Sequence, residues 1–219
     1  MNKIEGIIFD LDGVIVDTAV YHFRAWKKLA DEMGFSFTED DNERLKGVSR
    51  MESLRILLEI GNKEVSEEEK KMLAEKKNKI YVESISGMGK EEILPGVMNF
   101  IQELKEEKIP FSLGSASKNA PLILKNIGLY HSFDAVVDGN DVAKAKPAPQ
   151  VFLLGAEKLQ VNPEGCIVFE DAQSGIEAAK AAGMFAVAVG EQAKLKGADY
   201  YITSMEHLTL ADLKKAAVH

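Results

Sequence analysis

The sequence predicts an α/β protein with a doubly wound, mostly parallel sheet and an inserted helical domain. Short apolar runs recur along the chain, and helical patterns separate most of them. This alternation is typical of a parallel sheet covered by helices on both faces. About ninety residues of purely helical periodicity separate the first run from the second, far more than one crossover needs. The excess indicates an insertion.

The predicted elements follow from the spacing of apolar residues. The runs interpreted as strands are Gly6–Asp10, Phe111–Ser115, Ala135–Asp138, Cys166–Asp171, Phe185–Gly190 and Tyr200–Thr203. The helices predicted between them are Gly96–Lys108, Asn119–Ile127, Pro149–Gln160 and Ser174–Ala182. The helices predicted in the insertion are Tyr21–Met33, Arg50–Ile60 and Ser66–Ser84.

Residues 1–15 and 93–219 are therefore predicted to form a Rossmann-like core, and residues 16–92 a helical domain, called the cap below. Thr18 precedes the first cap helix. Because threonine is a favourable N-cap residue, we expect its side chain to cap that helix.

Composition restricts the possible partners and the compartment. The 219 residues carry a formal charge of −8 without a basic stripe, so we expect no nucleic-acid partner. The single cysteine, Cys166, lies in an apolar run and is interpreted as a core residue of a protein in a reducing compartment. No run approaches the roughly 18 apolar residues of a membrane span, and no targeting segment is evident. We expect a cytoplasmic monomer with no membrane partner.

Paired carboxylates follow two of the predicted strands. Asp10 and Asp12 end the first strand, and Glu170 and Asp171 close the fourth. For the first pair alone, an acidic turn marked by Gly13 is the alternative to a functional site, and the pair favours the functional site only modestly because Asp and Gly are ordinary turn residues. Four acids converging on one sheet edge would repel one another unless a cation lay among them, and oxygen ligands beside a phosphate favour Mg²⁺.

Two further polar segments follow predicted strands. The segment Ser115-Ala116-Ser117-Lys118-Asn119 places small hydroxyl residues before a helix, which suits either a phosphate or an ordinary N-cap. Lys146 stands beside two prolines and could neutralise a phosphoryl group or a carboxylate. Ligands of doubly wound sheets bind at the carboxyl ends of the strands, where all these segments are predicted to lie.

The order Asp-x-Asp, Ser, Lys, Glu-Asp resembles that of the haloacid dehalogenase superfamily of phosphotransferases, over almost the whole chain. The resemblance implies that Asp10 is the nucleophile that accepts a phosphoryl group, and Asp12 the general acid/base. It implies that Ser115 and Lys146 hold the transferring phosphoryl group. It also implies Mg²⁺ bound by the Asp10 carboxylate, the Asp12 carbonyl and Asp171, with Glu170 near the metal.

The cap segments are similar to those of the sugar-phosphate mutases within this superfamily. The similar segments are Asp17-Thr18-Ala19, Tyr21-His22-Phe23-Arg24-Ala25-Trp26 and Lys46-Gly47-Val48-Ser49-Arg50, together with Ser115 to Asn119. The resemblance implies interconversion of β-D-glucose 1-phosphate and D-glucose 6-phosphate through β-D-glucose 1,6-bisphosphate. The substrate-binding residues it implies are Trp26, Gly47, Val48, Arg50, Ser53, Ala116, Ser117, Lys118 and Asn119. Arg50 would hold the second phosphate, and Thr18 and His22 join the catalytic candidates because His22 resembles a residue that couples cap closure to Asp12.

Two other functions stay open at this point. A phosphatase acting on sugar phosphates would use the same phosphoaspartate with water as the acceptor. A non-catalytic protein on this fold would be expected to lose the acid pairs, all of which are present here. Ala172 departs from the family pattern, in which a hydroxyl residue commonly follows the Glu-Asp pair.

Overall fold

The computed structural model describes residues 3–217 and contains a six-stranded sheet in which every neighbouring pair is parallel. The strands are β1 (Gly6–Phe9), β2 (Phe111–Gly114), β3 (Ala135–Val137), β4 (Cys166–Glu170), β5 (Phe185–Val189) and β6 (Tyr200–Ile202). Their order across the sheet is β3-β2-β1-β4-β5-β6. The predicted fold class is confirmed, and each strand ends one residue earlier than predicted.

The helices of the described chain lie close to the predicted ones, with two additions. They are α1 (Ala19–Glu32), α2 (Glu39–Glu43), α3 (Arg50–Ile60), α4 (Glu67–Ile85), α5 (Val97–Glu106), α6 (Ala120–Asn126), α7 (Gln150–Leu159), α8 (Gln173–Ala181) and α9 (Leu210–Ala216). The sequence analysis missed α2 and α9, which are too short to show apolar periodicity. Both begin with a capping box, formed by Thr38 with Asp41 and by Thr209 with Asp212, and this local signal could have revealed them.

The expectation that the Thr18 side chain caps α1 is wrong. Thr18 occupies the N-cap position, but its hydroxyl donates to Oδ1 of Asp12 and makes no capping bond. The neighbouring Asp17 satisfies the helix instead, since its Oδ1 accepts the backbone N–H of Ala19 at 3.0 Å. The start of α1 is thereby tied to the carboxylate of Asp12, in the turn that follows β1.

Strand β1 is buried on both faces at the centre of the sheet. The ring of Phe9 lies at its carboxyl end, 5.2 Å from the ring of Phe169 between centroids and 6.2 Å from the rings of Phe100, Phe111 and Phe133. Such edge-to-face and stacked ring pairs stabilise the fold beyond what the burial of their apolar area contributes. Asp10, the residue that follows Phe9, is therefore attached to a strand whose end is fixed by aromatic packing.

The chain from α1 to α4 has an apolar cluster of its own, distinct from those of the sheet. It includes Trp26, Leu29, Leu54 and Leu57. The two chain crossings between this segment and the sheet meet in an antiparallel bridge between Val16 and Ile93. The predicted limits of the cap remain a prediction. Within residues 3–217, none of the helices has the length and hydropathy needed to cross a membrane.

The strand order reverses at β1, since the chain continues to β2 and β3 on one side and to β4, β5 and β6 on the other. A crevice opens outside the carboxyl ends of the strands where the order reverses. Asp10, Ser115 and Asp171 directly follow β1, β2 and β4. The topology therefore brings the predicted site residues of the core to one place.

Candidate active site

Asp10 is held at the end of β1 by one hydrogen bond from its backbone and one to its side chain. Its N–H donates to the carbonyl of Phe169 at 2.9 Å, which continues the pairing with β4. Its Oδ2 accepts the N–H of Asp12 at 2.9 Å. Gly13 then turns the chain with φ +76°, a conformation that residues with a Cβ adopt only at a cost. This turn places both carboxylates at the crevice.

Lys146 lies between two carboxylates beneath the crevice. Its Nζ donates to Oδ1 of Asp10 and to Oε1 of Glu170, each at 2.5 Å. The side chains of Lys146 and Glu170 are fully buried. Burial alone would lower the pKa of Lys146, but Asp10 and Glu170 outweigh it and hold the pKa above its usual value. Lys146 is therefore a fixed positive charge that neutralises and orients Asp10.

Asp10, Glu170 and Asp171 form a cluster of oxygen donors. One carboxylate oxygen of each lies within 4.8 Å of those of the other two. Burial, and then the nearby acids, raise the pKa of Asp171 well above its usual value. Three converging carboxylates suit a hard divalent cation, so the residues present fit the metal that the sequence predicted. The carboxylate of Asp12 is outside this cluster, and its predicted ligation through the backbone carbonyl remains a prediction.

Asp12 differs from Asp10 in having no cation bonded to its side chain. Its hydrogen-bond partner there is the hydroxyl of Thr18. Burial, followed by the charge of Asp10, raises the pKa of Asp12 to about 6. A carboxyl with a pKa near the working pH can give and take a proton, whereas a nucleophile must stay ionised. The surroundings of Asp12 therefore suit proton transfer, whereas Asp10, with its bonded lysine, suits the role of nucleophile.

A cavity of about 310 Å³ lies between the core turn and the cap. Fifteen predicted site residues line it: Asp10, Asp12, Thr18, His22, Trp26, Gly47, Val48, Arg50, Ser53, Ser115, Ala116, Ser117, Lys118, Asn119 and Asp171. Lys146 and Glu170 are not among its lining residues, because they are buried behind Asp10. The structure therefore brings the predicted residues of the core and the cap around a single cavity.

The segment after β2 forms part of the core wall and also contacts the cap. The Ser115 hydroxyl accepts the N–H of Ser117 at 3.1 Å, and the Ser117 hydroxyl accepts the N–H of Asn119 at 3.2 Å. The side-chain amide of Asn119 donates to Oδ1 of Asn78, on cap helix α4, at 2.9 Å. These bonds stiffen the segment and fix its position relative to the cap.

Lys77 is the main cavity residue that the sequence analysis missed. It lies on the buried face of α4 with Ala74 and Tyr81, and its Nζ lies 2.8 Å from Nδ1 of His22 and 4.5 Å from the ring centroid of Trp26. Burial, and then the charge of Arg50, lower its pKa to about 7. The available signal was the spacing of Lys77, three residues after Ala74 and four before Tyr81 on one helix face, since lysine is rarely fully buried unless it is paired.

Comparison with known proteins agrees with this geometry. Residues 7–189 match the family described as haloacid dehalogenase-like hydrolase. The chain belongs to this family. A curated member named beta-phosphoglucomutase, from Bacillus subtilis, is 46% identical over 208 residues, which cover 94% of the chain and 92% of that relative.

Other members of the haloacid dehalogenase-like family show the same fold or a different activity. A crystal structure of beta-phosphoglucomutase from Clostridium difficile superposes with a TM-score of 0.94 at 44% identity, covering 98% of this chain and 97% of that one. A phosphorylated carbohydrates phosphatase from Thermotoga maritima is 37% identical over 183 residues, 82% of each chain. Sequence similarity within this family therefore extends to both mutases and phosphatases.

Proposed function

We propose that this protein is a β-phosphoglucomutase that interconverts β-D-glucose 1-phosphate and D-glucose 6-phosphate. The observation that carries the proposal is the single cavity in which the carboxylate pair Asp10 and Asp12 and the cap cation Arg50 all take part. The 46% identity to the Bacillus subtilis beta-phosphoglucomutase supports the same conclusion. A mutase must bind one phosphate where it reacts and another elsewhere on the same sugar, and this cavity offers cationic groups on both walls.

Asp10 is the proposed nucleophile. Its carboxylate attacks the phosphorus of a bound phosphate ester, a P–O bond forms to Asp10, and the bond from phosphorus to the sugar oxygen breaks. Lys146 orients Asp10 and places a positive charge beside it through its 2.5 Å bond to Oδ1. The hydroxyl of Ser115 lines the cavity beside the reacting group and is proposed to bind a phosphoryl oxygen.

Asp12 is the proposed general acid/base. It gives its proton to the sugar oxygen that leaves phosphorus, and it takes a proton from the second sugar hydroxyl when that hydroxyl attacks the phosphoaspartate. The 6-hydroxyl of β-D-glucose 1-phosphate attacks the phosphoaspartate, which frees Asp10 and forms β-D-glucose 1,6-bisphosphate. The bisphosphate rebinds in the opposite orientation, and Asp10 then attacks its 1-phosphate, which releases glucose 6-phosphate and restores the phosphoaspartate. The bond from Thr18, one turn before His22 on α1, makes the position of Asp12 depend on the cap.

The proposed metal is Mg²⁺, held by Asp10, Asp171 and the backbone carbonyl of Asp12, with Glu170 near it. When bound, Mg²⁺ supplies positive charge that neutralises the phosphoryl oxygens during transfer. The three clustered carboxylates support this choice because oxygen-rich sites favour Mg²⁺ over softer metals. Removal of the metal with EDTA is expected to abolish turnover, and added Mg²⁺ to restore it.

Arg50 is proposed to hold the phosphate that is not reacting. It is half-buried at the first turn of α3, and its planar guanidinium can bind two phosphate oxygens at once. Ser117, Lys118 and Asn119 support that phosphate from the core wall, while Gly47, Val48, Ser53 and Trp26 surround the sugar. We further propose that the protein acts as a monomer in the cytoplasm.

The product formed from β-D-glucose 1-phosphate tests the proposal. With Mg²⁺ and a trace of the bisphosphate, we expect glucose 6-phosphate to accumulate with little inorganic phosphate. ³¹P NMR follows both products in one sample. The variant Asp10→Asn, which is isosteric but cannot form a phosphoaspartate, is the matched control and should form neither product.

A sugar-phosphate phosphatase is the second candidate, favoured by the 37% identity to the Thermotoga maritima phosphatase. Inorganic phosphate in place of glucose 6-phosphate in the same ³¹P NMR experiment, with an equimolar amount of glucose found by an enzymatic glucose assay, would establish this activity and contradict the mutase proposal.

A further inference from the structure

Lys46 lies in the cap, between α2 and α3, and faces the carboxylate cluster of the core. Its Nζ lies 3.9 Å from Oδ2 of Asp171 and 3.0 Å from Oε1 of Glu43. The two acids belong to different parts of the molecule, since Glu43 ends cap helix α2 and Asp171 follows core strand β4. The ammonium group therefore forms an electrostatic contact between the cap and the core.

The backbone around Lys46 fits closely against the loop that carries Asp171. The Lys46 carbonyl accepts the hydroxyl of Ser174 at 3.4 Å. The next residue, Gly47, has φ +70°, and a Cβ placed there would lie 2.5 Å from Oγ of Ser174 and 2.8 Å from Cβ of Ala172. The absence of a side chain at Gly47 thus lets the cap approach the core until Lys46 reaches Asp171.

The positive charges near the cluster are divided between two lysines. Lys146 is bonded to Asp10 and Glu170, the two most buried carboxylates. Asp171 is the more exposed member, and both Asp171 and Lys46 line the cavity and also a second groove of about 1000 Å³. The carboxylate that Lys46 approaches is thus the one most accessible to an entering cation.

We propose that Lys46 competes with the divalent metal for Asp171 and so makes the position of the cap depend on metal loading. This inference rests on the metal site of the proposed function. Without metal, the ammonium of Lys46 neutralises Asp171 and holds the cap against the core. A divalent ion at Asp171 removes that attraction and repels Lys46, because like charges a few ångströms apart oppose each other strongly in a partly buried site. Metal binding therefore favours withdrawal of this part of the cap.

Calorimetric titration with Mg²⁺ alone, on protein free of sugar phosphate, tests the competition. Lys46→Gln should bind Mg²⁺ roughly three- to tenfold more tightly than the wild type at low ionic strength, with a smaller difference at high salt. Lys46→Arg keeps the charge and should bind as the wild type does. The matched control is Arg44→Gln. Arg44 is a cap cation that lines the same groove, but it pairs with Glu59 at 3.3 Å and not with Asp171. Its loss should change the Mg²⁺ affinity less than twofold.

The possible outcomes separate this inference from the proposed function. Equal Mg²⁺ affinities of the wild type and Lys46→Gln, or a weaker affinity of the variant, would overturn the competition while leaving the metal site in place. No detectable Mg²⁺ binding in any of the four proteins would overturn the metal site of the proposed function and this inference with it.

Fluorescence of Trp26, the only tryptophan of the chain, tests the link to the cap. Trp26 is 2% exposed and lines the cavity between cap and core. Coupling is reciprocal, so Mg²⁺ must loosen the cap if the cap contact weakens Mg²⁺ binding. We expect Mg²⁺ to increase acrylamide quenching of Trp26 in the wild type and to change it much less in Lys46→Gln. Unchanged quenching in the wild type would contradict the coupling.

Discussion

At Asp12, burial and the charge of Asp10 raise the pKa of the carboxyl to about 6, with opposite consequences for folding and for catalysis. A raised folded-state pKa means that the folded protein binds a proton that the unfolded chain has released. The unfolding free energy therefore falls as the pH rises from about 4 to about 6 and does not recover above it. The same shift keeps the group able to exchange a proton near neutral pH.

Asp12→Asn should accordingly stabilise the metal-free protein and inactivate it. At pH 7 we expect an unfolding free energy about 1–3 kcal/mol higher than that of the wild type, because no charge is buried beside Asp10. At pH 3.5 the difference should vanish. Turnover should fall roughly 10²- to 10⁴-fold with the loss of the acid/base. Urea unfolding in EDTA at both pH values and a coupled activity assay measure these effects.

The control for a change of charge away from the site is Asp31→Asn, which loses an exposed ion pair with Lys27 at 3.1 Å; it should change the unfolding free energy by less than about 0.5 kcal/mol and leave turnover unchanged. A destabilised Asp12→Asn at pH 7, or one with wild-type turnover, would contradict the account of this residue.

Gly13 is required by two separate features, a positive φ and the nearness of Asp171. A Cβ at this position would lie 2.2 Å from Oδ2 of Asp171. Gly13→Ala should therefore displace a proposed metal ligand and weaken Mg²⁺ binding by about tenfold or more, in addition to the roughly 1–2 kcal/mol cost of the left-handed conformation. Calorimetry and urea unfolding separate the two effects.

Gly34→Ala is a closely matched control for this variant. Gly34 has φ +80°, and a Cβ there would meet no atom within 4 Å. It should show the backbone cost with unchanged Mg²⁺ affinity. Equal Mg²⁺ affinities of the wild type and Gly13→Ala would show that Mg²⁺ binding does not depend on the position of Asp171, and would contradict its role as a metal ligand.

At the level of elements, strand β2 contains a buried polar group with no evident function. Within residues 3–217, the hydroxyl of Ser112 has no hydrogen-bond partner although the residue is fully buried. An unpaired buried hydroxyl costs folding free energy, so Ser112→Ala should leave stability unchanged or raise it by up to about 1 kcal/mol, a rise in Tm of about 2–4 °C. Thermal unfolding followed by circular dichroism checks this.

Ser115, one residue beyond the same strand, gives the contrasting control. Its hydroxyl accepts the N–H of Ser117 and lines the cavity. Ser115→Ala should lower turnover, whereas Ser112→Ala should retain it. A loss of more than about 1 kcal/mol in Ser112→Ala would mean that its hydroxyl has a stabilising partner.

The elements also show which features can be predicted from sequence. The strands were predictable because runs such as Ile7 to Phe9 are fully apolar and end at polar residues. Helix α2 was not, because its five residues span little more than one turn and a capping box was its main signal. The hydroxyl of Thr18 was assigned to the wrong partner, since a nearby Asp17 could serve the helix and the buried Asp12 needed a donor more.

For the whole molecule, topology was more predictable than the meeting of the cap and the core. Parallel strands and short crossovers place Asp10, Ser115 and Glu170 at one sheet edge by rules that hold for any doubly wound sheet. The cap is joined to the sheet by two crossings of the chain, and no pattern of periodicity gives its orientation. Its specific contacts with the core, from Asn78 to Asn119 and from Lys46 to Asp171, could be found only in the folded structure.

The central claim is that one cavity binds two phosphates of the same sugar, and Arg50→Ala tests it most directly. The measurement is the ratio of two rates: isomerisation of β-D-glucose 1-phosphate, and hydrolysis of acetyl phosphate, which has no second phosphate. Losing a charge-assisted bond to the distal phosphate should cost about 1.5–3 kcal/mol, so kcat/KM for isomerisation should fall by about one to two decades. Acetyl phosphate hydrolysis should change little, because Asp10, Asp12 and the metal site are intact.

Arg55→Ala, on the same helix but paired with Glu52 and Glu59 at the surface, is the control and should leave both rates unchanged. The account predicts a ratio that falls at least tenfold in Arg50→Ala alone. An unchanged ratio, whether both rates fall together or neither falls, would contradict a distal phosphate site at Arg50 and with it the mutase mechanism.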